Sequence, residues 1–231
     1  MKVIKCQVAS LTPLTDNVYK ALLKPSQNVD FTAGQYLNFV MGDDDKRPFS
    51  IASAPGAELI ELQIGAFGSD SYPMQVIEHI KANAEVSIEM PFGSAQLRED
   101  SKRPLLLIAG GTGFSYIKSM FEHLALQDSQ REVLVYWGLR EPSACYELAE
   151  TAAVINKLAN GKFIPVIQTP SDDWQGRTGM VHNVVMTDVE NLADYDIYLA
   201  GRFEMVAAVR EDFVKQGALI EHMYADAFAF I

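Results

Sequence analysis

The sequence predicts two domains, an N-terminal antiparallel β-barrel followed by an α/β domain with a doubly wound parallel sheet. Two observations lead to this prediction. Up to about residue 98, short apolar runs with partial alternation are separated by turn residues, which is typical of a small barrel. After residue 104 the apolar runs become continuous and alternate with segments of helical periodicity, which indicates parallel strands joined by crossover helices.

In the first half we expect five strands, at residues 3–11, 18–23, 36–41, 59–64 and 86–89. One helix interrupts them, because Val76, Ile77 and Ile80 fall on one face after Pro73, which suits a first helical turn. The charged segment LREDSKRP (97–104) ends in proline and is the best linker candidate. We therefore divide the chain into domains at residues 1–98 and 99–231.

In the second half we expect buried strands at residues 105–109, 133–137, 163–167 and 197–200. Apolar residues recur at helical spacing in two of the intervening segments. These residues are Ile117, Met120, Phe121 and Leu124 in the first segment, and Leu148, Ala152, Ile155 and Leu158 in the second. A last helix covers residues 204–216 and ends at Gly217.

Composition excludes several classes of function. Nineteen Lys and Arg against 30 Asp and Glu give a formal charge of -11, which argues against binding to nucleic acid or to an anionic membrane. The two cysteines are far apart and the four histidines have no metal-ligand spacing, so we expect no metal site. No apolar run approaches the ~20 residues of a membrane span, and no signal-peptide pattern is present. A soluble, cytoplasmic protein is expected.

The strongest motif is AGGTGFS (109–115), which lies between a buried strand and a helix. Gly110, Gly111 and Gly113 permit a tight turn, and the following helix N-terminus offers free N–H groups to a pyrophosphate. The alternative is a plain glycine-rich turn. Three glycines in four residues exceed what such a turn needs, so we favour nucleotide binding.

Two weaker motifs add to it. In YLAGRFEM (198–205), Gly201 follows a buried strand at the sheet edge where α/β proteins bind ligands, although a simple strand-to-helix turn is equally consistent. In RPFS (47–50), an Arg, an aromatic ring and a hydroxyl lie within four residues of the barrel half. Spacing alone favours a hairpin rim with a surface Arg for this second motif.

The ordered combination of RPFS, GGTGFS, AGRFEM and the ending DAFAF resembles the ferredoxin–NADP reductase superfamily over essentially the whole chain. Within it, the strings DKRPFS, LIAGGTGFSY, YWG-R, AGRFEM and DAFAFI are similar to bacterial NAD(P)H:flavin reductases. The resemblance implies a Greek-key barrel that binds flavin and an α/β domain that binds NAD(P)H. It also implies reduction of free riboflavin, FMN or FAD by hydride transfer from nicotinamide C4 to flavin N5.

The resemblance also implies roles for individual residues. Ser50 is expected to hydrogen-bond flavin N5, and Asp226 either orients the nicotinamide carboxamide or relays a proton; a solvent-facing carboxylate is the alternative for Asp226. The other expected flavin-binding residues are Arg47, Pro48, Phe49, Gln63, Ile64, Gly65 and Ala66. The expected dinucleotide-binding residues are Gly110, Gly111, Thr112, Gly113, Phe114, Ser115, Arg140, Gly201, Arg202 and Phe203.

Departures from the wider superfamily sharpen these expectations. The segment GAFGSDSYPM (65–74) only loosely matches the motif that grips the FAD pyrophosphate, with Gly68 and Ser71 as possible remnants. We therefore expect flavin to be a dissociable substrate. Arg140 tolerates a 2′-phosphate while Glu141 disfavours it, so both NADH and NADPH are expected to work.

Reduced flavin would then serve ferric iron, oxygen, or a flavin-dependent monooxygenase or luciferase. Two alternatives stay open at this point. One is a reductase with tightly bound FAD and a protein electron acceptor. The other is a nucleotide-sensing module without catalysis, which the intact RPFS and GGTGFS motifs argue against.

Overall fold

A six-stranded antiparallel sheet forms a barrel in the N-terminal half of the protein, in the computed structural model that describes residues 3–231. Met1 and Lys2, where the predicted first domain begins, lie outside the described residues. The barrel strands β1 to β6 are Ile4–Thr15, Val18–Pro25, Tyr36–Val40, Lys46–Ser50, Ile60–Gly65 and Glu85–Phe92. They are hydrogen-bonded in the order β4-β3-β6-β1-β2-β5, and the last strand in sequence inserts between β3 and β1, as in a Greek key.

The barrel interior is filled by the inward-facing residues of these strands and by one helix, α1 (Tyr72–Ala82). The predicted apolar face of α1 is confirmed, since Val76, Ile77 and Ile80 are all buried in the barrel core. The helix begins where Ser71 accepts a hydrogen bond from the Met74 N–H, an N-cap that satisfies one free donor of the first turn.

A parallel sheet with helices on both faces forms the C-terminal half. Its strands are β7 (Leu105–Gly110), β8 (Glu132–Leu139), β9 (Asn160–Ile167), β10 (Arg177–Thr178), β11 (Asp196–Ala200) and β12 (Met223–Tyr224). Its helices are α2 (Phe114–Leu126), α3 (Leu148–Ile155), α4 (Val181–Asp188) and α5 (Phe203–Lys215). The strand order β10-β9-β8-β7-β11-β12 is that of a doubly wound sheet, so the predicted fold class is confirmed.

Continuous apolar strands occur here because the sheet is buried on both faces. In β7, Leu105, Leu107 and Ala109 pack with α2 and α3, whereas Leu106 and Ile108 pack with α4 and α5. No helix among residues 3–231 combines the length and apolarity that a membrane span needs.

The structure differs from the sequence predictions in its short elements. The helix predicted to include Leu158 ends at Ile155, and Leu158 instead packs from the turn that follows. The two-residue strands β10 and β12, and helix α4, were not predicted. A strand of two residues is too short to show hydrophobic periodicity. Helix α4 spans only two turns, with Val181, Val184 and Val185 buried.

The predicted linker is fixed rather than loose. The Arg98 N–H donates to the Tyr198 hydroxyl at 2.9 Å. The Arg131 guanidinium donates to the carbonyls of Arg103 and Arg98 at 2.8 and 3.1 Å, and it also pairs with Asp196 at 3.0 Å. These bonds attach the segment between the two sheets to β8 and β11.

Candidate functional site

A slot opens between the two outer strands of the barrel, β4 and β5. The barrel closes where the Ala52 N–H donates to the Glu61 carbonyl at 2.8 Å, just beyond the end of β4. In the described part of the chain, β4 itself pairs only with β3. The two strands therefore diverge from the closing point, with Ser50 on one side and the end of β5 on the other.

Beyond Glu61, the β5 side of this slot is a strand edge that pairs with no further strand among residues 3–231. Alternate residues of a strand direct their N–H and C=O groups to opposite sides, and the Glu61 carbonyl faces β4 whereas the Ala66 N–H donates to Asn17 beside β2. Gln63 and Gly65 have the same parity as Glu61, so their backbone groups face the slot. An edge of this kind can hydrogen-bond the polar rim of a planar heterocycle without any side chain.

The RPFS motif lies along the other side of the slot and divides between the two faces of β4. Arg47 and Phe49 point to α1. The Arg47 guanidinium binds both carboxylate oxygens of Asp45, at 2.8 and 2.6 Å, the Tyr72 carbonyl at 2.8 Å and the Gln75 side chain at 2.8 Å. Phe49 stacks on Tyr72 with ring centroids 6.1 Å apart.

Pro48 and Ser50 occupy the opposite face of β4, and Ser50 is half-buried. Four of the five guanidinium N–H groups of Arg47 are already used inside the barrel. Of the four residues predicted to line the ring, Pro48 and Ser50 are thus presented on the face away from α1, while Arg47 and Phe49 support the strand from behind.

The outer face of β5 lies against the start of α2. A Cβ built on Gly65 would lie 2.9 Å from the Thr112 methyl group, so this glycine permits a close approach of the two units. Two residues earlier, the Gln63 side chain accepts from the Tyr146 hydroxyl at 3.2 Å and donates to Glu147 at 3.0 Å. The buried Gln63 side chain therefore faces the α/β unit and leaves its backbone for the slot.

The neighbouring predicted residues Ile64 and Ala66 are also buried, and both belong to the barrel core. Their side chains maintain the strand and are not exposed to a ligand. Any contribution of this part of β5 to a ligand therefore comes from the backbone.

The glycine-rich motif forms a single short turn, Gly111–Gly113, between β7 and α2. Gly111 has a left-handed backbone with φ of 55°, which favours glycine. A Cβ on Gly113 would lie 2.6 Å from the Ala200 carbonyl oxygen, so the two predicted loops meet backbone to backbone at the ends of β7 and β11. Residues 110–113 and 200–201 lie together at the carboxyl edge of the sheet, where a pyrophosphate can approach free N–H groups.

Two residues that the sequence analysis did not place in the site fix this surface. The indole of Trp137, fully buried, donates to the Gly111 carbonyl at 2.9 Å and stacks on Phe114 with centroids 4.0 Å apart. Met205 places its sulfur beneath Gly201, where a Cβ would come within 2.8 Å of it. The signal for Met205 was its position four residues after Gly201, one turn into α5.

The remaining predicted dinucleotide residues separate into buried and exposed groups. Phe114 and Ser115 are buried, so only their backbone atoms are available to a ligand. Arg140, Arg202 and Phe203 are exposed at the carboxyl ends of the strands, where a dinucleotide can reach them.

Asp226 lies at the end of the slot and is not a freely solvated carboxylate. It accepts hydrogen bonds from the backbone N–H groups of Ala95 and Ser94, and burial raises its pKa although these bonds oppose the shift. Its position beside Tyr36, the ladder partner of Ser50, brings it to the same end of the slot as that hydroxyl.

The segment after β5 leads into helix α1. Ser71, one of the two residues suggested as a remnant of a phosphate-binding motif, is the N-cap of that helix, and its hydroxyl oxygen accepts from the Met74 N–H. Gly68 has a left-handed φ of 91° and lies in an exposed turn.

The two cysteines lack the environment of a reactive thiol. Burial raises the pKa of the Cys6 thiol to about 12, and burial also raises that of Cys145, so neither has the character of a nucleophile at neutral pH. Among residues 3–231, no group of three His, Cys, Asp or Glu side chains is arranged to hold a metal ion.

Known proteins share this sequence and architecture. Residues 107–211 match the family model described as an oxidoreductase NAD-binding domain. An NAD(P)H-flavin reductase of Vibrio harveyi is 46% identical over 99% of both chains, and one of Aliivibrio fischeri is also 46% identical over 99% of both. Among solved structures, the ferredoxin reductase in carbazole 1,9a-dioxygenase superposes with a TM-score of 0.87 at 23% identity, covering 98% of this chain and 69% of that one.

An antiparallel barrel joined to a dinucleotide-type parallel sheet is a two-domain ferredoxin reductase-like fold. Within that class, the full-length identity is decisive. The chain belongs to the family of bacterial NAD(P)H-flavin reductases.

Proposed function

We propose that this protein, an NAD(P)H-dependent flavin reductase, transfers a hydride directly between two substrates bound on either side of the contact between β5 and the glycine-rich turn. The observation that supports this most is the close approach of Gly65 to Thr112, where a Cβ built on the glycine would lie 2.9 Å from the threonine methyl group. The open strand edge of the barrel and the glycine-rich turn of the α/β unit therefore lie side by side, as a reaction between stacked rings requires. When bound, reduced nicotinamide supplies the hydride at C4 and flavin accepts it at N5.

On the barrel side, Ser50 donates a hydrogen bond to flavin N5 and so orients it. The backbone groups of Gln63 and Gly65 bond the ring edge, and Ile64 and Ala66 hold that strand in place from the core. Pro48 lies against the edge of the flavin ring. Arg47 and Phe49 pack against α1 and hold β4 in the position that presents Pro48 and Ser50.

On the α/β side, the N–H groups of Gly110–Ser115 bind the pyrophosphate at the start of α2. Thr112 contacts the ribose or amide, and Gly201 lets the nicotinamide lie against the backbone. Arg202 and Phe203 flank the nicotinamide and adenine sides, and Phe114 serves through its backbone and its packing on Trp137.

Asp226 orients the carboxamide or supplies a proton at the end of the slot. Its raised pKa supports the second role, because the carboxyl then keeps a proton to donate up to a higher pH than an ordinary aspartate. Exposed Arg140 accommodates a 2′-phosphate, so both NADH and NADPH are used.

Flavin is a dissociable substrate in this proposal. The loose match of residues 65–74 to the motif that grips the FAD pyrophosphate supports it. Reduced flavin then leaves for ferric iron, oxygen, or a flavin-dependent monooxygenase or luciferase, in the cytoplasm. We place the domain boundary at residues 98/99, inside the linker.

Initial-rate measurements test this proposal together with the colour of the purified protein. We expect colourless protein after dialysis and intersecting double-reciprocal lines when riboflavin and NADH are varied together. A yellow sample with stoichiometric flavin that survives dialysis, with parallel lines, would instead support the alternative with tightly bound FAD.

A further inference from the structure

Helix α2 contacts strand β5 and the segment that follows β4, at the point where the barrel closes. Its first turn follows the glycine-rich loop, and its next turn lies on the closing point between Ala52 and Glu61. The two substrate surfaces are thus connected by one helix of 13 residues.

On the β5 side, the connection is ionic. Lys118 lies 2.9 Å from a carboxylate oxygen of Glu61 and 2.7 Å from one of Glu122, the residue one turn later. Lys118 is 8% exposed. Burial alone would lower its pKa, but the two carboxylates outweigh burial and the net shift is upward, so the amine stays charged.

On the β4 side, the connection is a neutral hydrogen bond. The Ser119 hydroxyl, fully buried, donates to the Ser53 carbonyl at 2.8 Å. Ser53 in turn accepts from the Glu61 N–H through its own hydroxyl at 3.1 Å, and Glu122 accepts from the Ala54 N–H. Adjacent residues of α2 therefore hold the two sides of the barrel closure.

We propose that Lys118 and Ser119 are positioning residues that set the width of the flavin slot and its alignment with the glycine-rich loop. The inference rests on the proposed function, because it assigns the slot to flavin. Neither side chain touches a substrate. A change of either lets the closing strands shift, so that Ser50 and the backbone edge of β5 no longer match the same ring.

The variants are Ser119→Ala and Lys118→Met. Ser119→Ala removes one hydroxyl and keeps the volume close to the original. Lys118→Met keeps a long side chain but leaves the partly buried Glu61 and Glu122 without their shared cation. If Lys118→Met fails to fold, Ser119→Ala decides the test alone.

Asp196→Asn is the matched control. Asp196 is 1% exposed and pairs with Arg131 at 3.0 Å at the start of β11, the end of the strand opposite Ala200 and the site. The Asp196→Asn substitution weakens an ionic cluster that, like the Lys118 cluster, includes a buried charge. It therefore lowers stability without altering the slot.

Riboflavin affinity, measured by quenching of its fluorescence without nucleotide, is the first readout. We expect about a five- to tenfold weaker riboflavin Kd in Ser119→Ala. This is the contribution of roughly one hydrogen bond between the shifted strands and the flavin ring. The rate of flavin reduction in a single turnover at saturating substrates should fall about tenfold or more. The KM for NADH should stay within about twofold of the original, since the pyrophosphate surface is unchanged.

The inference is overturned if Ser119→Ala behaves like Asp196→Asn, with a lower Tm but unchanged riboflavin Kd and transfer rate. Failure of the proposed function has a different signature. In that case the unaltered protein gives parallel initial-rate lines, while the comparison of riboflavin affinities among the variants still stands.

Discussion

The contact between Gly65 and Thr112 makes a quantitative prediction. An alanine Cβ at position 65 would lie 2.9 Å from the Thr112 methyl carbon and 3.2 Å from its hydroxyl oxygen. Carbon atoms normally approach to about 3.5–4.0 Å, so β5 and the glycine-rich loop must separate by about 0.6–1 Å. A displacement of that size between reacting groups costs about 10- to 100-fold in rate.

The effect on folding should be smaller than the effect on rate. Gly65 lies in a strand without the left-handed backbone that disfavours alanine, so the cost is overpacking alone, about 1–3 kcal/mol. Gly65→Ala should therefore stay folded at 25 °C with a modestly lower Tm. Its single-turnover rate, measured by stopped-flow loss of flavin absorbance, should fall by the factor given above.

A second substitution makes the test sharper. Thr112→Ser removes the methyl group at 2.9 Å and retains the hydroxyl. The double variant Gly65→Ala/Thr112→Ser should recover most of the lost rate, and Thr112→Ser alone should be close to the original. The reasoning is refuted if Gly65→Ala retains the full rate, or if the added serine restores nothing.

Four further predictions concern single residues. Ser50→Ala should slow flavin reduction about tenfold, the value of one hydrogen bond to the reacting atom, with the KM for NADH unchanged in steady-state assays; an unaltered rate contradicts the N5 role. Asp226→Asn should abolish the fall in rate that a proton donor causes as pH rises through its pKa, which burial raises above the usual aspartate range; a fall that persists excludes Asp226 as its source. Asp196→Asn should lower stability by about 3 kcal/mol in urea titration, because it removes the buried charge that pairs with two partly buried arginines; a loss below 1 kcal/mol would show that the cluster is dispensable. Cys6, with its pKa raised to about 12, should not react with a thiol reagent at pH 7 unless the protein is unfolded.

Local patterns were enough to predict the long elements and the motifs. Continuous apolar runs such as Leu105–Gly110 arise because a parallel sheet is covered on both faces, and that cause acts within a few residues. The glycines at 110, 111 and 113 were recognisable for the same reason, since a tight turn needs them locally.

The rest of the site depends on contacts that are distant in sequence. The Gln63 side chain meets Tyr146 and Glu147 across the two units, 83 and 84 positions away, and no periodicity encodes such a pair. Arg47 is predicted to line the flavin ring, and in the structure its guanidinium binds Asp45, two residues away, and the start of α1. Which of two plausible partners an arginine binds is decided by packing against α1, which the motif alone does not contain.

The two faces of β4 illustrate the limit well. Strand alternation predicts that Phe49 and Ser50 point in opposite directions, and the structure agrees. Alternation does not say which face meets the core. That choice follows from the position of α1, whose Tyr72 stacks on Phe49.

The central claim is that hydride passes directly from nicotinamide to flavin across the contact between the two units. Single-turnover reduction of riboflavin by NADH carrying deuterium at either face of C4 tests it most directly. The account predicts slower transfer with deuterium on one face only, in a reaction that needs both substrates bound together. Equal rates for both labelled forms and unlabelled NADH, with flavin reduced only after the oxidised nucleotide has left, would contradict it.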